Sequence, residues 1–146
     1  MDKIKIIAGL DIGNGYVKGA TKANDADNVN IDIPSCVAAV PNPTDLPATD
    51  IKNEIDNIFD RATITFDSPL VTGIHATTRA YLGRRGVESG KSITAFDIES
   101  HVSKANQPLS AVLVLSIIAG AALQNYYRTK NALPTETIQV EAKTAL

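Results

Sequence analysis

Between Leu109 and Leu123 the chain runs fifteen residues without a charge. Apolar surface leaves water at about 25 cal/mol per Å², so any fold of this chain must be organised around that segment. Pro108 stands where a first-turn residue has no needed N–H to lose. Arg128 and Lys130 suit the negative end of a helix dipole. Asn131-Ala132-Leu133-Pro134 then closes the element. The pattern predicts one helix from Pro108 to about Lys130, apolar all round up to Leu123 and central to the core. The run is shorter than the roughly 20 residues a membrane span requires, and Ser110, Ser116 and Gly120 interrupt it. A core helix is expected, and no membrane association. At the N-terminus the apolar run Ile6 to Leu10 ends at Asp11, too soon for a secretory signal. A cytoplasmic protein is expected.

The chain of 146 residues has the size of one domain, 1–146. Its 44% hydrophobic and 21% charged content excludes a disordered or low-complexity class. With 14 basic and 16 acidic residues the formal charge is −2, which gives no general pull toward nucleic acid. Direct nucleic-acid binding is not expected. One cysteine, Cys36, excludes an internal disulfide framework and a multi-cysteine zinc site. It reads as a reduced, half-buried small hydrophobe. His75 and His101 lack partners at metal-ligand spacing. Arg84-Arg85 reads as a solvated surface pair. Tyr126-Tyr127 reads as packing at the end of the long helix. Ser110 and Ser116 are expected to bond back along it.

The segment Lys3 to Gly13 is rich in β-branched residues and suits a strand buried on both faces near its end. Asn14-Gly15 follows, a hairpin signal because both residues tolerate positive φ. Tyr16 to Thr21 reads as the return strand. Val29, Ile31 and Ile33 alternate with polar residues and give a third, half-buried strand. The opening is therefore a three-stranded antiparallel meander. Pro34 to Pro47 carries four of the seven prolines and reads as a loop. Asp50 is positioned to cap a short helix whose Ile51, Ile55, Ile58 and Phe59 share a face. Ala62 to Phe66 and Leu70 to Ile74 suggest a second hairpin. Tyr81-Leu82-Gly83 suggests a short strand leading into a helical turn. Residues 91–106 are polar and ambiguous. Thr137 to Leu146 suggests a final strand, parallel to the sheet because a long helix precedes it. The class is α/β with a mixed sheet, and residues 36–90 are candidates for a small insert subdomain.

Chemistry concentrates in Asp11-Ile12-Gly13-Asn14-Gly15-Tyr16-Val17-Lys18. A phosphate chain with magnesium needs closely approaching backbone N–H groups, hence glycines at 13 and 15. It needs a carboxylate for a largely hydrated metal, and Asp11 is sufficient. It gains from a lysine reaching the phosphate oxygens, and Lys18 is present. A plain hairpin also explains Asn14-Gly15, with Lys18 facing solvent. That reading leaves Asp11 unexplained after so apolar a run, where burying a lone carboxylate is costly.

The stretch Ile7 to Gly19 resembles the first phosphate motif of the actin superfamily, in the form found in ParM-type bacterial and archaeal actin-like proteins that segregate plasmids. Ile33-Pro34-Ser35 is similar to the end of that family's third strand. Tyr81 to Gly86, the helix at 109–123 and the strand at 137–146 follow the family's order of elements more loosely. The resemblance implies a ribonuclease H-like actin-type lobe. It implies that Asp11 binds magnesium through water, that Gly13, Asn14, Gly15 and Tyr16 offer backbone N–H groups to the terminal phosphates, and that Lys18 contacts them by its side chain. ATP or GTP with magnesium would be the cofactor.

No second Asp-x-Gly-x-Gly element and no C-terminal glycine cluster occur here, so the resemblance implies a first, N-terminal lobe only. Such a chain would carry half of an ATPase site, bind nucleotide weakly or not at all, and lack catalytic residues of its own. The family role would be nucleotide-dependent filament formation, with self-association and a DNA-bound adaptor protein as partners. Two alternatives stay open: the first lobe of a sugar or acetate kinase of the same superfamily, and a non-catalytic interaction module that kept the fold.

Overall fold

A computed structural model describes residues 3–40, 50–66, 79–99 and 101–146. The chain opens with strands β1 (Ile4–Ile12), β2 (Tyr16–Ala23) and β3 (Val29–Pro34). Consecutive strands pair antiparallel. Strand β8 (Val140–Ala145) pairs with the other edge of β1 and runs parallel to it. The sheet order is β3-β2-β1-β8. Within β1, Ile4, Ile6, Ala8 and Leu10 are buried, whereas Lys5, Ile7, Gly9 and Asp11 lie on the exposed face. The strand expected to be buried on both faces is therefore buried on one. Ile7 is 59% exposed because no described element covers that side.

Helix α4 (Pro108–Lys130) covers the other side, across β1 and β2. Val112, Leu113 and Ile117 are wholly buried, and each such side chain contributes about 1.5–3 kcal/mol of burial. At 23 residues α4 exceeds the apolar run, because it continues for about two turns from Gln124 to Lys130. By length and hydropathy alone it would be able to cross a membrane. Here its most apolar face is the core of the protein. Asn131 in the left-handed conformation, φ 52°, terminates it, and its N–H donates to the Tyr127 carbonyl at 2.7 Å. Neither serine bonds back along the helix as expected. Ser110 Oγ donates to Lys104 O in the preceding 3-10 turn, Lys104–Asn106. The buried Ser116 Oγ has no partner among the described residues, since it faces apolar neighbours.

A second sheet is built from β4 (Cys36–Ala39), β5 (Thr63–Thr65), β6 (Arg79–Leu82) and β7 (Ile93–Ala95). Its order is β5-β6-β4-β7, all antiparallel. The expectation of a loop from Pro34 onward is corrected. Pro34 closes β3, an edge strand, where a missing N–H is tolerated. β4 follows after the single residue Ser35. Residues 41–49, which hold the other prolines of that stretch, lie outside the described residues, as do Leu70 to Ile74 and His75 of the proposed second hairpin.

Helices α1 (Ile51–Asp56) and α2 (Ile58–Arg61) join the two sheets to α4. Asp50 caps α1 by accepting from the Asn53 N–H at 3.2 Å. Ile55, Ile58 and Phe59 point inward. Gln124 Nε2 of α4 donates to the Ile55 carbonyl at 3.0 Å. Gly120 lets α4 approach Phe59, for a Cβ there would stand 2.9 Å from a ring carbon. Helix α3 (Gly83–Glu88) packs on β4. One apolar cluster includes Ile6 and Leu113 together with Val37, Leu82 and Phe96 of the second half.

Candidate functional site

The residues singled out in the sequence sit at the β1–β2 turn. Asp11 and Lys18 are direct cross-strand partners, and Ile12 pairs with Val17. Opposite partners share a face, so Asp11 and Lys18 stand side by side on the open face of the sheet. Lys18 also faces Asp32 across β2 and β3. The row Asp11–Lys18–Asp32 thus places one ammonium between two carboxylates, and no ion pair within 4.0 Å joins them. Asp11 is exposed, not buried as the apolar run before it suggests, because its side chain lies on the uncovered face of the sheet.

Gly13, Asn14 and Gly15 form a three-residue loop. Positive φ was the expected reason for Asn14-Gly15, yet neither residue has it. The turn is not a two-residue type I′ hairpin. The glycine requirement falls instead on Gly13, whose added Cβ would lie 2.6 Å from the Tyr16 carbonyl oxygen. That carbonyl accepts the Gly13 N–H at 2.9 Å, so the Gly13 N–H, expected to be offered to phosphate, is instead taken up within the turn. Around Gly15 a Cβ would meet nothing within 4 Å, so this side of the loop is open. Below the loop, Gly19 has φ 153°, and a Cβ there would clash at 2.0 Å with the Gly9 carbonyl. Only glycine lets β1 and β2 approach so closely at that point.

Ser35 holds the loop from behind. It is 2% exposed. Its N–H donates to the Gly15 carbonyl at 2.9 Å, and its Oγ donates to the Gly13 carbonyl at 2.7 Å. A trans peptide directs C=O and N–H to opposite sides. Fixing the Gly13 carbonyl toward Ser35 therefore turns the Asn14 N–H outward, and fixing the Gly15 carbonyl turns the Tyr16 N–H outward. Among the described residues, nothing accepts from the Asn14 or Gly15 N–H. The Tyr16 ring is 51% exposed. The loop thus presents backbone donors beside an exposed carboxylate and an exposed lysine, groups suited to a metal-bound anion.

No protein-family model matches the chain, and no curated protein does. Solved structures do. ParM from Bacillus thuringiensis with ADP matches at a TM-score of 0.61 and 16% identity, over 97% of this chain and 34% of that one. The same protein with ATP matches at 0.59 and 17%, over 94% of this chain and 32% of that one. Its apo form matches at 0.59 and 17%, over 96% and 34%. The fold is the ParM-type actin-like fold. The chain spans about a third of the length of the ParM structures it matches.

The β1–β2 hairpin keeps Asp11, Gly13, Asn14, Gly15, Tyr16 and Lys18, the six residues expected to bind phosphate and magnesium, within one turn. The fold adds two that sequence reasoning did not assign. Ser35 is announced only by its place after the apolar strand and Pro34. Asp32 is announced by the polar phase of β3. Among the described residues no group of three His, Cys, Asp or Glu side chains is arranged to hold a metal. A magnesium ion that keeps most of its waters does not need one, so Asp11 and the loop N–H groups fit a metal–phosphate ligand. Cys36 is buried, with Sγ 3.7 Å from the Gly83 carbonyl, and burial raises its thiol pKa. It is no candidate nucleophile. Arg84 and Arg85 are not a free solvated pair: Arg84 contacts Asp60, and Arg85 lies over Tyr81.

Proposed function

We propose that the chain is the first lobe of an actin-like, nucleotide-dependent, filament-forming protein of plasmid-segregation type. The observation that carries this reading is the Ser35 clamp, which turns the loop's N–H groups outward beside Asp11 and Lys18. The ParM-like fold supports it, as do ParM structures that carry ADP and ATP. In this reading the Asn14, Gly15 and Tyr16 N–H groups hold the terminal phosphates, with Gly13 allowing the close approach. Lys18 adds a point charge to the phosphate oxygens, and Asp11 orients the waters of the accompanying magnesium. The ion supplies neutralisation of phosphate charge when bound. The nucleotide in this reading is ATP or GTP.

One loop grips one side of a phosphate chain. Phosphoryl transfer is catalysed by positioning and charge stabilisation on both sides, so these residues bind and orient without completing a hydrolytic site. Self-association and a DNA-bound adaptor partner belong to the same proposal, in a cytoplasmic setting.

The test is a titration of the ¹⁵N-labelled chain with ATP and magnesium. The expected result is weak binding, with shifts centred on the Asn14, Gly15 and Tyr16 amides and lost in Asp11→Ala. Shifts elsewhere, or an unchanged response in Asp11→Ala, sink the site assignment. ATP-dependent light scattering by a protein carrying this lobe together with an opposing one, without added sugar or acetate, separates filament formation from a kinase.

A further inference from the structure

Two cavities meet at the Arg85 side chain. One, of about 630 Å³, opens between α1–α2 and α3 and is walled mainly by charged groups. The other, of about 290 Å³, lies against Ile51, Ile55, Leu123 and Leu133. Glu54, Arg61 and Arg85 border both.

The cations of the larger cavity are not equivalent. Arg61 is bonded to Glu54 at 2.9 Å, and Arg84 approaches Asp60 at 3.3 Å. Arg85 contacts no carboxylate among the described residues. Its Nη1 donates to the Arg61 carbonyl at 2.7 Å. Its guanidinium carbon sits 4.5 Å from the centre of the Tyr81 ring, which is 4% exposed and therefore a fixed platform. A guanidinium has five N–H donors in a rigid fork. Here one face is stacked, one donor is used, and the fork is held in place before any ligand arrives.

We propose that the paired cavities bind a peptide segment of a partner protein in which an acidic side chain lies next to an apolar one. The carboxylate takes the Arg85 fork, whose geometry matches it bidentately. The apolar side chain enters the neighbouring cavity against Ile55 and Leu123. An inorganic anion would leave that second cavity unused. Glu54, Asp60 and Glu88 around the rim disfavour a nucleic-acid backbone, which brings many phosphates together. A peptide with one or two carboxylates meets the single unpaired fork without crowding them.

The experiment titrates the labelled chain with an acetylated peptide of alternating glutamate and leucine, with its glutamine counterpart, and with inorganic phosphate. The acidic peptide is expected to move the Arg85 Nε–H and the Leu123 and Leu133 methyl resonances. The glutamine peptide and the Arg85→Gln chain are each expected to bind about tenfold more weakly. Arg84→Gln, whose partner is Asp60, is expected to change affinity less than about twofold. Arg85→Lys keeps the charge and loses the fork, and it should also weaken binding if its amide spectrum stays native. The proposal is overturned if the glutamine peptide binds as well, if Arg85→Lys with a native spectrum binds as well, or if the shifts lie elsewhere. It is equally overturned if phosphate alone moves Arg85 as far as the peptide does, which marks a small-anion site.

Discussion

Removing the Ser35 hydroxyl isolates one half of the clamp on the loop. In Ser35→Ala the bond from Oγ to the Gly13 carbonyl, 2.7 Å long, disappears, while the bond from the Ser35 N–H to the Gly15 carbonyl remains. A neutral hydrogen bond of this kind is worth about 0.5–1.5 kcal/mol net. For a domain of this size that corresponds to a fall in Tm of about 2–6 °C. Thermal and urea denaturation read the stability. The clamp makes a second, local prediction. With its carbonyl released, the Gly13–Asn14 peptide gains freedom to rotate, so the ¹⁵N order parameter of Asn14 should drop from about 0.85 toward 0.6. The Tyr16 amide, tied through the Gly15 carbonyl, should change less. Loss of stability with an unchanged order parameter at Asn14 would show that Ser35 supports the sheet and not the loop. An unchanged Tm together with an unchanged order parameter would refute the clamp altogether.

Gly19→Ala sets a Cβ 2.0 Å from the Gly9 carbonyl, so a loss of at least about 3 kcal/mol is expected in urea denaturation, against about 1 kcal/mol for an ordinary strand substitution. Leu113→Ala opens a cavity under α4 where the side chain is wholly buried, and about 3 kcal/mol should be lost. Asp56 is hydrogen-bonded to Lys52, and to Arg128 more weakly; these partners lower its pKa below the ordinary 3.8. Its contribution is thus present above that ordinary value and lost as pH falls through the depressed one. The stability gap between the native chain and Asp56→Asn should therefore be small and salt-sensitive at pH 7 and close in strong acid, as a pH series of denaturation curves would show. Cys36 should resist iodoacetamide at pH 7 and react only at the rate of unfolding, because burial raises its thiol pKa. Rapid alkylation with native spectra would contradict this.

Much of the chain is legible without coordinates because its signals are local. The period-two alternation of Val29, Ile31 and Ile33 makes β3. The long uncharged run after Pro108 makes α4. Asp50 caps α1 through its own neighbour three residues on. The motif from Asp11 to Lys18 is also local, and its members stay together because a hairpin places positions 11 and 18 opposite each other. Reasoning failed where the answer depended on a distant partner. Asp11 looked buried because its strand is apolar, yet only one face of that strand meets α4. Arg85 looked solvated because nothing nearby in sequence reveals Tyr81 beneath it and the Arg61 carbonyl beside it. Cys36 to Ala39 looked like loop because the adjacent prolines outweighed strand partners that come from residues 80–82 and 93–95.

By itself the sequence determined that a helix would fill the core, that a hairpin would present Asp11 and Lys18, and that glycine would be needed between them. These follow from hydrophobic pattern and backbone freedom, which act within a few residues. Only the tertiary structure decided which way the loop's N–H groups point. That direction is set by Ser35, twenty residues and two strands away, whose two hydrogen bonds fix the planes of two peptides at once.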